Sequence, residues 1–350
     1  MKKKAWALLL TASLLAAGCG KEAAADKKTV EVPVSEAASE AAEIEAELVT
    51  ESEPEPVSEP ETESEPETEE ETETETETET ETEIETETET EAATEGPAPE
   101  GAGTGASSIH LENPQIDLAG LSTAQVDWGS GGPKDDLNRP GGCLIDQQKY
   151  GHLNAYFLAP LEDPTEKVAY LTFDIGYTND STVKILDVLK EKGVHGVFFA
   201  TKGVIEKDEA IIRRIIDEGN ELANHSVTHT NMAAKSVDEQ RSEIMDTHNA
   251  ALEKYGYEMH LWRYPEGKFS EQGLALVNNC NYRSVFWSFA HRDWILDEQP
   301  DVGETRQKVI DALHPGAIYL LHGISPTNAA VLGDLIDAGR EMGYRFELLQ

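Results

Sequence analysis

From residue 164 onward, short apolar runs rich in β-branched residues alternate with longer stretches in which apolar positions recur every three to four residues. The first kind of run predicts strands at 168–173, 196–200, 221–224, 261–264, 285–288, 317–321 and 346–349. The second predicts helices. Val183, Leu186 and Leu189 make one stripe within 182–192, and further helical patterns cover 208–218, 237–254, 270–278, 304–313 and 327–342. Gly193 and Gly219 stand where the first two helices should stop. Regular strand–helix alternation points to parallel strands, in an α/β barrel or a wound sheet.

The pattern stops upstream. Residues 21–107 are full of Glu, Thr, Ser and Pro and hold no aromatic side chain. They cannot bury enough surface to offset the entropy of ordering, so they are expected to be disordered. Between Glu59 and Glu91 the order is mostly Glu-Thr, a period of two with no apolar face to make a strand. Like charges at alternate positions extend such a chain, and about 80 residues at ~3.3 Å each reach roughly 260 Å. The expectation is a solvated spacer. Residues 21–100 hold 31 acidic and 3 basic side chains, which accounts for -28 of the chain's net charge of -40. Lys2, Lys3 and Lys4 contribute +3, so the remainder carries -15. There is no basic stripe, which argues against nucleic acid as a partner.

Those three lysines precede an apolar run at 5–17 and then Gly18-Cys19. The run is too short to span a membrane and has the layout of a signal peptide. The small residues before Cys19 resemble a bacterial lipobox, although Ala16 stands where Leu is usual. The expected organisation is a lipoprotein signal peptide at 1–19, a linker at 20–107, an extension packing on the barrel at 108–163 and the main domain at 164–350. Lipidation at Cys19 implies a membrane anchor and an extracytoplasmic location projecting into the cell wall. Cys143 and Cys280 remain, and sequence alone does not establish whether they meet.

In α/β barrels the chemistry sits at the C-terminal ends of the strands. Asp174, His225, Arg263, the pair His291 and Asp293, and His322 each follow one of the expected strands. His225 and His229 are four residues apart, a spacing that suits two ligands of one divalent metal, although such a pair is more often ordinary surface. Asp174 ends an apolar run, where an unpaired carboxylate is costly, and Arg263 is a candidate partner. The plain alternative is a structural ion pair. His322 is placed to donate a proton, or is a satisfied core histidine. Asp293 offers an orienting carboxylate, and Trp294 an aromatic wall for a sugar ring.

Five segments in order, Thr172-Phe173-Asp174-Ile175-Gly176, His225-Ser226-Val227-Thr228-His229, Arg263-Tyr264-Pro265-Glu266-Gly267, Asp293-Trp294 and Leu320-Leu321-His322, resemble the motifs of the NodB-type polysaccharide deacetylases, carbohydrate esterase family four. Residues 169–174 and 316–322, together with Trp128-Gly129, resemble the branch acting on muramic acid in peptidoglycan. The resemblance implies a distorted (β/α) barrel and metal-dependent hydrolysis of N-acetyl groups on cell-wall glycan. It implies a divalent metal, zinc or cobalt, on His225 and His229. Asp174 would be the base, held by Arg263, and His322 the acid, tuned by Asp293. Trp294, Tyr264 and Glu266 would meet the substrate, the last through backbone that binds the oxyanion.

One position departs from the family pattern. The residue after the base is usually a second carboxylate that ligates metal, and here it is Ile175. Weak metal binding is then expected, with Asn179, Asp180 and His291 as candidate third ligands. A catalytically weak or inactive glycan-binding relative is the alternative. A glycoside hydrolase needs two carboxylates flanking the scissile bond, and only Asp174 and Asp293 stand at strand ends.

Overall fold

The computed structural model describes Ser107 and residues 111–349. The expected signal peptide, Cys19 and the Glu/Thr-rich linker lie outside the described residues, Ser107 excepted. In chain order the elements are β1 (Val126–Asp127), α1 (Gly141–Tyr150), β2 (Ala155–Tyr156), β3 (Val168–Ile175), α2 (Asp180–Lys192), β4 (Val197–Ala200), α3 (Lys202–Lys207), α4 (Glu209–Asp217) and β5 (Glu221–Asn224). They continue with α5 (Val237–Tyr255), β6 (Leu261–Trp262), β7 (Lys268–Phe269), α6 (Glu271–Asn279), β8 (Arg283–Val285), α7 (Val302–Asp311), β9 (Ala317–His322), α8 (Pro326–Glu341) and β10 (Arg345–Phe346).

All strands but β1 and β7 join one parallel sheet, in which β3 pairs with β4, β9 and β10, and the order continues β4-β5-β6-β8-β2. The chain after β8 returns to β9: Ser288 donates its N–H to the Ile318 carbonyl at 2.9 Å, and Phe289 bridges to Tyr319 in parallel. That bridge curls the sheet into a distorted (β/α) barrel. Helices cover its outside, so β3 is buried along all eight residues.

Period-two alternation decides what each strand residue does. Val168 and Tyr170 join Val197, Phe199, Leu261, Val285 and Ile318 in an inner apolar cluster. Leu171, Phe173 and Ile175 join the larger cluster shared with the helix layer. Asp174 therefore shares the inner face, and Ile175 does not. The helices α2 and α5 start on capping boxes, Asn179 with Thr182 and Ser236 with Glu239, and both end on left-handed glycines, Gly193 and Gly256.

The segment 111–163 packs on the barrel. Phe157 stacks on Phe286 with ring centroids 4.4 Å apart, and the Asn113 side chain donates to the Asn278 and Tyr282 carbonyls. Three expected strands are shorter or displaced. The run at 285–288 pairs as β8 over Arg283–Val285, the run at 346–349 as β10 over Arg345–Phe346, and only Leu261 and Trp262 of 261–264 join the ladder. Tyr264 instead leads into the turn at Pro265.

Candidate active site

Register brings the strand-end residues together. Asp174 at the end of β3 lies directly opposite His322 at the end of β9. Asn224, the last residue of β5, pairs with Trp262 in β6, which places His225 beside Arg263.

Arg263 is fully buried and makes three contacts: Nη1 to Asp174 Oδ1 at 2.8 Å, Nε to the Val285 carbonyl at 3.1 Å, and Nη2 to the Phe286 carbonyl at 3.2 Å. Its guanidinium also lies over the Phe199 ring, 4.1 Å from the centroid. Burial alone would push the Asp174 carboxyl up. The charge of Arg263, followed by His225 and His322, outweighs this and holds it below the usual carboxylate range.

His225 is buried, and its Nδ1 sits 3.1 Å from the Arg263 carbonyl. A carbonyl can only accept, so Nδ1 carries the proton and Nε2 keeps its lone pair. That Nε2 lies 3.6 Å from Asp174 Oδ2. Burial pushes the imidazole down to about 4, so this contact is not an ion pair at neutral pH. Two lone pairs facing each other, with an imidazole fixed through its far nitrogen, fit a bound cation. The His229 ring, on an exposed residue, stands 4.8 Å from that of His225 at 76°. Among the described residues no group of three or more His, Cys, Asp or Glu side chains could hold a metal, and the two imidazoles stand as a pair.

The candidate third ligands lie elsewhere. The Asn179 side chain caps α2 and donates to the Ile324 carbonyl at 2.9 Å. Asp180 is exposed in the first turn of α2. His291 packs against Asp293 and Asn328. Ile175 is fully buried on the helix side of β3, against Gly323.

The proton-donor half is built from Asp293. Its Oδ1 lies 2.7 Å from His322 Nδ1, and its Oδ2 accepts the His322 N–H at 2.9 Å. Asn328, also fully buried, donates to the same Oδ2, while its own Oδ1 lies 2.9 Å from His291 Nε2. Burial would lower the His322 pKa, but the hydrogen bond and charge of Asp293 outweigh it and hold the imidazole above its ordinary value. The Asp293 carboxyl lies far below its ordinary value: burial opposes this, and hydrogen bonds from His291 and His322 win. Asn328 and His291 complete a buried frame around Asp293, of which the sequence singles out His291 but gives no signal of Asn328.

Trp294 is 46% exposed, with its ring 5.5 Å from that of His322, at the mouth of the site. Glu266 is exposed, adopts a left-handed φ of 58° and pairs with Lys268 at 2.6 Å. Tyr264 corrects the expectation of a substrate contact for its side chain. It is 1% exposed and stacks on Phe286, because the alternation that aims Arg263 inward turns its neighbour into the aromatic core. Cys143 and Cys280 are free thiols.

Comparison with known proteins agrees with this geometry. Residues 162–285 match the polysaccharide deacetylase family. An uncharacterized 30.6 kDa protein of Geobacillus stearothermophilus is 40% identical over 232 residues, covering 66% of this chain and 86% of its own length. The peptidoglycan-N-acetylmuramic acid deacetylase PdaA of Bacillus subtilis is 38% identical over 188 residues, 53% of this chain and 72% of that protein. The solved structure of Bacillus subtilis PdaA, a family 4 carbohydrate esterase, superposes with a TM-score of 0.61 at 33% identity, over 65% of this chain and 96% of that one. With the motif residues gathered at one end of such a barrel, the chain belongs to the polysaccharide deacetylase family.

Proposed function

We propose that this protein removes N-acetyl groups from cell-wall polysaccharide, with peptidoglycan as the substrate. The observation that carries the reading is the facing pair Asp174 and His322, adjacent in register and biased in opposite directions by Arg263 and Asp293. A deprotonated carboxylate and a protonated imidazole across one cleft are what acid–base hydrolysis of an amide needs.

Asp174 takes a proton from the attacking water as its oxygen bonds to the acetamide carbon. His322 delivers a proton to the nitrogen as the carbon–nitrogen bond breaks, releasing acetate and leaving the sugar amine. Arg263 keeps Asp174 ionised and aimed, and Asp293 does the same for His322. Trp294 supports a sugar ring at the mouth, and the backbone at Glu266 borders the oxyanion. His225 and His229 would hold a divalent cation, zinc or cobalt, which when bound supplies Lewis-acid polarisation of the acetamide carbonyl. The fold supports a main domain at 164–350 with the segment from 111 packed on it. We infer further that Cys19 is the lipidation site and that residues 20–107 hold the enzyme away from the membrane, in the wall.

The test is acetate release from purified N-acetylated peptidoglycan strands, with and without added zinc or cobalt. Release by the wild type and loss in Asp174→Asn and His322→Gln is expected. No acetate from any acetylated glycan in any metal refutes the reading. Saturable glycan binding without turnover would instead favour an inactive relative, the reading that Ile175 motivates.

A further inference from the structure

The two metal-binding imidazoles sit at the ends of a five-residue turn whose backbone is unusual. Ser226 and His229 have φ values of 72° and 52°, and neither is glycine. Such conformations persist only where the surroundings impose them. Four consecutive amides of this turn point inward, and each has an identified acceptor. Ser226 donates to Asn224 Oδ1 at 3.0 Å, Val227 and Thr228 both donate to Glu243 Oε2 at 2.9 Å, and His229 donates to Ser226 Oγ at 2.8 Å. Thr228 Oγ1 adds a fifth bond, to Glu243 Oε1, at 2.7 Å.

Glu243 comes from α5 and is 7% exposed. Among the described residues, Lys235 lies within ion-pair distance, 3.6 Å from Oε1. The two oxygens of the carboxylate take all three donors, whereas a leucine of similar size offers an acceptor to none of them. The two imidazoles differ in how they are held. His225 is fixed by the Ala200 carbonyl through its backbone and by the Arg263 carbonyl through its ring. His229 is exposed, and its backbone N–H is tied to Ser226 Oγ. The shape of the turn, and with it the place of the His229 ring, depends on the bonds to Glu243.

We propose that Glu243 is a positioning residue for cation binding: through the amides of Val227 and Thr228 it holds His229 at the angle from which it shares a divalent cation with His225. This rests on the reading that the two imidazoles bind a metal. It assigns to Glu243 no contact with substrate or cation.

The experiment is a cobalt(II) titration of the full chain, followed by its visible absorption bands, with zinc competition for the dissociation constant. The proteins are wild type, His225→Ala, Glu243→Leu and Thr228→Val. The last change removes one donor to Glu243 at an exposed position and decides the question if Glu243→Leu does not fold. Circular dichroism confirms that each metal-free protein is folded at the titration temperature. Glu243→Leu is expected to weaken binding roughly 10- to 100-fold, as loss of a supporting group around a ligand does, with altered cobalt bands. Thr228→Val should weaken it less, in the same direction. Constants for both within twofold of wild type, with His225→Ala defective, overturn the proposal alone. Wild type binding no better than His225→Ala overturns the metal reading and this proposal together.

Discussion

Arg263 Nη1 meets Asp174 Oδ1 at 2.8 Å between side chains that are 0% and 7% exposed. Each charge has its counter-charge in the other, because little solvent is available to either. Removing one partner leaves an uncompensated buried charge, which costs about 3–5 kcal/mol. Arg263→Met should therefore lower unfolding free energy by about that amount in a urea titration. The double variant with Asp174→Asn should recover part of it. Additive losses would mean that the two side chains do not depend on each other.

His322 must carry a proton to serve as acid. Its folded-state value lies above the ordinary 6.5, so the protonated form persists to higher pH than in a free imidazole and is lost as pH rises through that higher value. Turnover should fall on the alkaline side accordingly. Asp293→Asn removes the partner that raises the imidazole and should move this limb to lower pH. His322→Gln should cost roughly 10²–10⁴-fold in kcat. A limb unmoved in Asp293→Asn would show that some other group sets it.

His314 gives a stability prediction away from the site. It is buried, with Nε2 2.9 Å from Ser288 Oγ and Nδ1 3.0 Å from the Pro315 carbonyl. Burial pushes it down to about 4, from an ordinary value of 6.5. Between those values the unfolded chain binds more protons than the folded one, so stability falls as pH falls. His314→Gln should be less stable at neutral pH but should lose less on acidification from pH 6.5 to pH 4. Parallel stability curves for the two proteins would contradict this.

Gly323 follows His322 under a tight constraint. A Cβ added there would stand 2.5 Å from Ile175 Cγ2, and the β-branched Ile175 side chain has little freedom to yield. Gly323→Ala should destabilise by about 1–3 kcal/mol. Ile175→Ala should cost about 2–5 kcal/mol as a cavity. The double variant should be more stable than the sum of the two predicts, because each change relieves the other. Strict additivity in thermal or urea unfolding would refute the contact.

Sequence made the barrel legible where apolar runs are long. The apolar runs of β3 and β9 announce themselves, and Asp174 and His322, the proposed reacting groups, stand at their ends. Elements with little apolar content were not legible. α1 opens with Gly141-Gly142, a pair that reads as a loop. Close approach requires both glycines: a Cβ would stand 2.6 Å from the Pro133 carbonyl oxygen at one and 2.6 Å from that of Gly131 at the other. Motif position identified Arg263 correctly as the partner of Asp174 but misplaced the side chain of Tyr264, expected at the substrate and found in the core, because which face a residue takes at a strand end depends on where the ladder stops. Glu243 lies in an otherwise ordinary polar helix, where an acid reads as solvent-facing, and only the fold shows what it holds.

The fit between Ile175 and Gly323 also bears on how this lineage can change. An isoleucine at 175 closes position 323 to any side chain, and the backbone that follows His322 is set by that closure. A later exchange of Ile175 for a carboxylate would open a gap beside Gly323 and place a polar group among α2-side apolar neighbours. The two positions are thus packed as one unit, and placing a carboxylate at 175 is a two-step path whose first step is uphill.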